Sequence, residues 1–237
     1  MAGRRRHSFA RVLLAGLVAV SAFAAFWLGL VPARLSPLAP LSLDEPDNWF
    51  VDLRLAALRR DKELCKAVLK APHIAATPIA DRPISKGCGW TNAVRISAVA
   101  GARMPIESLT CETAAALTLW LEHEVQPLAN ELLGSKVASV QHMGGYACRN
   151  IIGSKYWGSF RSQHALANAI DIAGFSLEDG RRISVLKDWP GDTAQARFLR
   201  QVRDRACHYF RVVLSPEFNE AHRDHFHFDR GFLWRCR

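Results

Sequence analysis

The sequence predicts an α+β fold: a small, mainly antiparallel β-sheet with flanking helices, preceded by one N-terminal transmembrane helix. Several short segments with strand-like alternation follow one another in the second half of the chain, and the helical segments lie apart from them rather than between them. An uncharged run of 22 residues, Val12 to Ala33, is long enough to span a bilayer. With 237 residues, 49% of them apolar, the chain can bury one substantial core.

The apolar run follows a basic start. Four arginines precede it with no acidic residue nearby: Arg4, Arg5, Arg6 and Arg11. The positive-inside rule therefore keeps residues 1–11 in the cytoplasm and exports the rest of the chain. The sequence AFA at 22–24 also fits a cleavage site, so a removed signal peptide is the alternative. Because the run continues beyond that site, we favour an uncleaved anchor over 12–33, in the cytoplasmic (inner) membrane of a bacterium.

The remaining chain is predicted as a stalk and one exported domain. Residues 34–48 are rich in proline and leucine and predict a short stalk, which leaves 49–237 as the domain. Its six cysteines include no C-x-x-C pair, which favours structural disulfides in an oxidising compartment over a thiolate zinc site and leaves their pairing open. The net charge of the whole chain is +9, and part of it comes from the basic start. The sequence contains no basic stripe with interleaved aromatics, so we expect no nucleic-acid partner.

The first elements of the domain are helical. Residues 49–70 predict a helix with a break near Arg60, and residues 71–89 predict a loop. The alternating sequence of residues 93–100 predicts a half-buried strand. A helical period returns from Cys111 to Leu133, where Pro127 should bend the helix.

The second half predicts strands interrupted by one helix. The strand candidates are residues 137–143, 169–174, 182–186, 211–214 and 225–229. The helix should begin at Asp192 as the N-cap, with Gln195 three residues later in the capping-box position, and end near Tyr209.

The stretch SQHALANAID, residues 162–171, contains two metal-binding residue types. His164 is predicted at a turn that enters the strand holding Asp171, so both side chains can face one pocket. A carboxylate in an apolar strand needs a hydrogen-bond network, a cation or a metal, because burying it alone costs several kcal/mol. A structural His–Asp hydrogen bond is the alternative.

The stretch AHRDHFHFD, residues 221–229, supplies further ligand groups. On a strand, His225, His227 and Asp229 face one side, and the two phenylalanines between them face the other. Together with His164 and Asp171 these side chains offer nitrogen and oxygen ligands of the kind that Zn²⁺ accepts, and three protein ligands plus a water make a catalytic site. A polar edge strand is the alternative, and His222 is interpreted as polar surface.

These stretches resemble the motifs of a peptidase family. SQHALANAID resembles the S-x-H-x-x-G-x-A-x-D pattern of the D-alanyl-D-alanine metallopeptidases, with Ala167 in place of the glycine. The residues in register are Ser162, His164, Ala169 and Asp171. DHFH at 224–227 resembles their E-x-W-H element, with Asp224 for Glu and Phe226 for Trp. It also contains the H-x-H of the wider lysostaphin, D-Ala-D-Ala metallopeptidase and hedgehog superfamily.

The run from about Cys65 to Asp229 also resembles the bacterial extensin-like C-terminal domain family. The stretches that carry this resemblance are GCGW, LTCETAAAL, YACRNI, HALANAIDIAGF, DGRRISVLKDW and DHFHFD. They cover most of the exported chain. The resemblances together imply a D-Ala-D-Ala metallopeptidase/hedgehog-like fold.

The peptidase resemblance implies roles for individual residues. The zinc ligands would be His164, Asp171 and His227. Asp224 would be the base that takes a proton from water and passes it to the leaving amine, although it is one methylene shorter than the usual glutamate. His225 would stabilise the oxyanion or share that role.

Three further residues complete the predicted site. Arg149, in YACRN, resembles the arginine of a Tyr-Arg-Ser element and would bind a substrate carboxylate or polarise the carbonyl, with a surface salt bridge as the alternative. Asp229 is the rival carboxylate to Asp224, and we favour it as the group that orients a zinc ligand. Ser162 is expected beside the ligands.

The function expected from these features is a membrane-anchored, zinc-dependent amide hydrolase, of the D,D-carboxypeptidase or endopeptidase type, acting on peptidoglycan peptide stems or cross-links. Two alternatives stay open. One is a non-catalytic, zinc-containing envelope module, and the other is a zinc hydrolase of another peptide or ester.

Overall fold

The computed structural model of the protein describes residues 2–32, 35–36, 39–44 and 49–236. Residue 33 of the predicted anchor and residues 34, 37–38 and 45–48 of the predicted stalk lie outside this part of the chain. The helices are α1 Ala2–Trp27, α2 Val51–Ala57, α3 Lys62–Val68, α4 Cys111–Trp120, α5 Gln126–Leu133, α6 Val185–Asp188 and α7 Ala194–Ala206. The strands are β1 Ile74–Ile79, β2 Arg82–Ser85, β3 Cys88–Trp90, β4 Ala93–Val99, β5 Ala102–Thr110, β6 Val137–His142, β7 Ala169–Leu177, β8 Arg182–Ser184, β9 Val212–Leu214, β10 Phe226–Asp229 and β11 Arg235–Cys236.

The predicted α+β class is confirmed, and the main sheet is mixed rather than wholly antiparallel. Its nine strands run in the order β1-β4-β5-β6-β7-β10-β9-β11, with β8 also paired to β7. Two of the pairs are parallel, β5 with β6 and β9 with β11. The parallel pairing of β5 with β6 follows from the helices between them. A connection of that length can carry the chain back across the sheet, so that β6 starts at the same end of the sheet as β5.

The prediction of a loop over residues 71–89 is wrong. This segment forms β1 and the separate two-stranded sheet of β2 and β3. Its prolines concealed the strands, but Pro78 lies in β1 at the edge of the main sheet, where a residue without an N–H is tolerated.

Helices α4, α6 and α7 pack against the sheet. All ten residues of α4 are buried, and this helix contacts β4 and β5. The ring of Trp120 in α4 meets that of Phe228 in β10 edge-on at 5.1 Å, and its Nε1 donates to the carbonyl oxygen of Val202 in α7. Phe226 packs on Trp189 in the same layer. Alternation along β10 therefore places His227 and Asp229 on the opposite face.

Two helix details differ from the prediction. Near Pro127, where a bend was expected, a five-residue π-helical turn, Leu121–Val125, joins α4 to α5. Helix α7 begins one residue later than expected, with Thr193 as its N-cap in place of Asp192, since the Thr193 side chain accepts from the backbone nitrogen of Ala196. The predicted break near Arg60 is confirmed by the separation of α2 from α3.

A buried charge network joins β10 to the helices. Arg230, directly after β10, lies 2.9 Å (Nη2 to Oε1) from Glu112 at the start of α4, and each side chain is 1% exposed. Asp52 in α2 accepts from Arg211 at 2.9 Å and lies 2.8 Å from Arg230. Burial disfavours ionisation of Asp52, but the two arginines outweigh it and lower its pKa. Losing one member would leave a buried charge unpaired. The network therefore fixes the end of β10 against α2 and α4.

The cysteines form three disulfides, Cys65–Cys111, Cys88–Cys148 and Cys207–Cys236. This agrees with the expected structural disulfides. Cys88–Cys148 ties β3 to the segment that leads into the predicted site residues.

The N-terminal helix α1 contains one stretch, Ala10–Trp27, that is long and apolar enough to cross a membrane or to serve as a signal sequence. None of this stretch is buried against the rest of the protein. The described part of the predicted stalk behaves differently. Leu41 and Leu43 are buried in the core of the domain, and the Leu43 carbonyl oxygen accepts from His123 Nε2 at 2.7 Å.

Candidate metal centre

His164 and Asp171 are positioned by a single turn of 3₁₀ helix, Gln163–Leu166, that leads into β7. Ser162 is the N-cap of this turn, and its Oγ accepts from the His164 backbone nitrogen at 3.3 Å. Ala167 ends the turn in the left-handed conformation, with φ 52°. That backbone conformation explains the glycine of the pattern that SQHALANAID resembles, because glycine adopts positive φ without a Cβ penalty.

The pairing of β7 with β10 brings the two predicted motifs together. His227 lies directly opposite Asp171 in the antiparallel register. The His227 Nδ1 lies 2.9 Å from Asp171 Oδ1, and the His164 Nε2 lies 3.1 Å from Asp171 Oδ2. The two histidine nitrogens are 3.1 Å apart. All three residues are buried, and each offers one ligand atom within 4.8 Å of the other two.

The outer nitrogens of the two histidines are held by acceptors. His164 Nδ1 donates to the Gly145 carbonyl oxygen at 3.2 Å, and His227 Nε2 donates to Asp229 Oδ2 at 3.0 Å. Neither partner can donate, so the outer nitrogen carries the proton in each ring. The inner nitrogens of the neutral rings then face each other and the Asp171 carboxylate with lone pairs. Such an arrangement requires a cation, either a metal ion or a proton on one ring.

The donor geometry fits a tetrahedral metal ion. Zinc bonds of 2.0–2.1 Å place neighbouring ligands of a tetrahedron about 3.3 Å apart, close to the 3.1 Å between the two histidine nitrogens and to the distances from each nitrogen to its own Asp171 oxygen. Histidine ligands that donate their other N–H to a carboxylate or a backbone carbonyl are typical of metal centres, because that bond fixes the ring and its tautomer. His164, Asp171 and His227 could therefore hold zinc, with Asp229 and Gly145 as the groups behind them.

In the absence of a metal ion, the charges of the cluster also favour a cation between the histidine rings and Asp171. Burial opposes ionisation of Asp171, but hydrogen bonds from His164 and His227 outweigh it and hold its pKa well below the usual range. Burial also opposes protonation of His227. Here Asp171 and Asp229 dominate and raise the pKa of His227 to about 9. A proton on His227 can thus supply the cation that the cluster requires.

His225 and Asp224 form a hydrogen-bonded pair at the edge of the cluster. His225 Nδ1 and Asp224 Oδ1 are 2.8 Å apart, and His225 Nε2 lies 3.7 Å from Asp171 Oδ1. The pair is arranged so that His225 is the member next to the ligands, while Asp224, 38% exposed, contacts the far nitrogen of its ring. Asp224 can therefore orient the His225 ring through this hydrogen bond.

Arg149 extends toward the same carboxylate. Its Nη2 lies 3.8 Å from Asp171 Oδ2, and the side chain is about one-third exposed. At that distance it contributes positive charge beside the cluster and keeps part of its guanidinium available to a ligand. The predicted site residues are therefore neighbours in the structure, with Ser162, Asp224 and Asp229 each held against one of the three histidines.

His222, predicted to be polar surface, lies next to the cluster. Its ring lies 5.2 Å from that of His225 and 5.9 Å from that of His227. Burial and the charges of His227 and His225 lower its pKa to about 4. The grouping of three histidines in AHRDHFHFD was the sequence feature that could have indicated His222 as part of the site. No sequence pattern indicated Asn219, whose Oδ1 lies 2.6 Å from His222 Nδ1.

Fold and site together define an α+β protein with a buried cluster of two histidines and one aspartate that could hold a metal ion. The model of the family Extensin-like protein C-terminus matches residues 63–237. The chain belongs to this family. The matched region includes all the residues of the cluster and both strands that carry them. No curated protein and no solved structure matches the chain.

Proposed function

We propose that the domain is a zinc-dependent amide hydrolase that acts on peptide stems or cross-links of peptidoglycan outside the cytoplasmic membrane. The observation that carries this proposal is the convergence of His164 Nε2, Asp171 and His227 Nδ1, with both histidines held by outer acceptors. Bound there, zinc would polarise the scissile carbonyl and make water a better nucleophile. The resemblance of the two motifs to the D-Ala-D-Ala metallopeptidases supports the substrate class.

The protein's own residues supply the proton transfers. His225 Nε2 takes a proton from the attacking water as the new C–O bond forms, and Asp224 stabilises the imidazolium through Nδ1. The proton then passes to the nitrogen of the leaving amine as the C–N bond breaks. In this arrangement Asp224 and His225 share the role of base, which compensates for the short side chain of Asp224. Arg149 binds a substrate carboxylate or stabilises the oxyanion.

A non-catalytic envelope module is the second candidate. The observation that favours it is the buried His227–Asp171 pair, in which a proton can satisfy the cluster without a metal. The family membership accommodates either function, because a shared fold does not fix activity.

Incubation of the purified full chain with defined muropeptides separates the two candidates. The hydrolase should release peptide products that mass spectrometry identifies, and a chelator should abolish the release until zinc is restored. The product masses also identify the bond that is cut. No cleavage by zinc-loaded protein would exclude a hydrolase of these muropeptides and favour the envelope module.

A further inference from the structure

The segment between Arg149 and Ser162 forms an exposed aromatic loop, defined here as residues 151–160. Its large side chains face solvent: Ile152 is 56% exposed, Tyr156 88%, Trp157 43% and Phe160 54%. Soluble proteins rarely expose a large contiguous apolar patch unless it contacts a partner or a membrane.

The aromatic loop is held in place at its base. Asn150 and Arg161 form an isolated β-bridge, and Arg161 Nη1 donates to Asn150 Oδ1 at 2.9 Å. Above this bridge the Ile151 backbone nitrogen donates to the Phe160 carbonyl oxygen at 3.0 Å. On the other side, Asn219 Nδ2 donates to the Gly153 carbonyl oxygen. The loop therefore presents its side chains on a pre-organised surface, which reduces the entropy lost on binding.

The charges of the loop and its flanks favour an anionic partner, since Glu220, in the segment that contacts Gly153, is paired with Arg223. Residues 149–170 contain three permanent cations, Arg149, Lys155 and Arg161, and no aspartate or glutamate. Tyrosine and tryptophan with lysine and arginine are the residues that concentrate where a protein meets the headgroups of a bilayer.

We propose that the aromatic loop docks into the headgroup region of an anionic bilayer. Tyr156 and Trp157 would lie at headgroup level, Ile152 and Phe160 at the edge of the acyl chains, and Lys155 beside lipid phosphates. The stretch Ala10–Trp27 of the same chain, long and apolar enough to span that bilayer, would keep the domain within reach. Because the loop begins next to Arg149 and ends next to Ser162, docking would bring the His–Asp cluster close to the membrane surface. The inference is independent of whether the cluster hydrolyses a substrate.

Tryptophan quenching in nanodiscs tests the docking. The full chain is reconstituted in two matched phosphatidylglycerol-containing bilayers, one with brominated acyl chains, which quench tryptophan on contact. Trp157→Phe keeps an apolar ring and removes the fluorophore, so this variant should lose emission that bromine quenches in the wild type. Trp234→Phe removes a tryptophan that is 65% exposed elsewhere on the surface, and should lose only unquenched emission.

A charge variant tests the lipid contact. Lys155→Gln should weaken docking about fivefold in the anionic bilayer, since one basic residue near such a surface contributes about 1 kcal/mol, and should have little effect in phosphatidylcholine. Equal losses of quenched emission in Trp157→Phe and Trp234→Phe would overturn the proposal. So would a Trp157 signal that responds to soluble peptidoglycan fragments and not to the bilayer, which would identify the loop as a polymer-binding surface.

Discussion

His164 Nε2 lies 3.1 Å from His227 Nδ1, although 63 residues separate the two histidines in the chain. Each ring is held from behind by an acceptor, so the two inner nitrogens meet beside the Asp171 carboxylate with no donor of their own in the neutral state. Lone pairs and a carboxylate do not remain together in a protein interior without a cation. This relationship is the physical reason to expect a cation at this point, either a metal ion or a proton on one ring.

The first prediction concerns metal content. The purified chain should contain about one zinc ion, measured by elemental mass spectrometry, because three ligands converge at one point. His164→Ala and Asp171→Asn should each abolish zinc binding. His208→Ala, which removes an exposed histidine outside the cluster, should not. Retention of zinc by both ligand variants would show that the ligands are assigned wrongly.

Asp229 should tune zinc affinity without contacting the ion. Asp229→Ala removes the acceptor behind His227 Nε2 and should lower zinc affinity about 10- to 100-fold, as measured by competition with a chelator. Asp229→Asn should have a smaller effect, since an amide oxygen can still accept. Asp192→Asn, at an exposed carboxylate, is the matched control. An affinity unchanged in Asp229→Ala would remove this residue from the site.

Asp224 should affect turnover and leave zinc in place. Asp224→Ala deprives His225 of its partner and should reduce hydrolysis of a defined muropeptide by about 100- to 10,000-fold at unchanged zinc content. His225→Ala should have a comparable effect, and the double variant should lose little more, because the pair acts as a unit. Asp204→Ala serves as the control. Additive losses would mean that the two residues act separately.

Ala167 should tolerate glycine and reject a β-branched residue. Glycine relieves the strain of the left-handed backbone, about 1–2 kcal/mol, but loses a buried methyl group and gains unfolded-state entropy. These effects nearly cancel, so Ala167→Gly should lie within about 1 kcal/mol of the wild type in urea unfolding. Ala167→Val should lose more than about 2 kcal/mol, because it adds strain and volume at a fully buried position. Equal stability of the two variants would contradict the assigned conformation.

Asp52 should stabilise the domain at neutral pH and lose this contribution in acid. Its pKa is lowered in the folded state by Arg211 and Arg230, against the effect of burial, so the folded protein binds fewer protons at this group than the unfolded chain. This stability is complete above the unfolded pKa, about 3.9, and is lost as the pH falls toward the lower folded value. Asp52→Asn should therefore lower the urea midpoint at neutral pH, and its difference from the wild type should shrink below about pH 4. A difference independent of pH would show that ionisation of Asp52 contributes nothing.

The sequence determined the class of the fold and the identity of the clustered residues. Local patterns have local causes: alternation predicted β4, β7 and β10, and the apolar run predicted α1. The same patterns failed where prolines concealed β1, since only pairing at a sheet edge makes that segment a strand. The capping residue of α7 was missed by one position, because Asp192 and Thr193 have similar capping propensities.

Tertiary structure alone decided how the site residues meet. Spacing within SQHALANAID was compatible with a ligand pair or a simple hydrogen bond, and the antiparallel register of β7 against β10 placed His227 opposite Asp171. Register depends on contacts across the whole sheet. Two other contacts also join residues that are distant in the chain or that no sequence pattern indicated: the Gly145 carbonyl oxygen lies behind His164, and Asn219 is hydrogen-bonded to His222. The sequence specified the residue types of the cluster. Their convergence, and the tautomers that leave two lone pairs facing a carboxylate, arise from long-range pairing that local sequence does not encode.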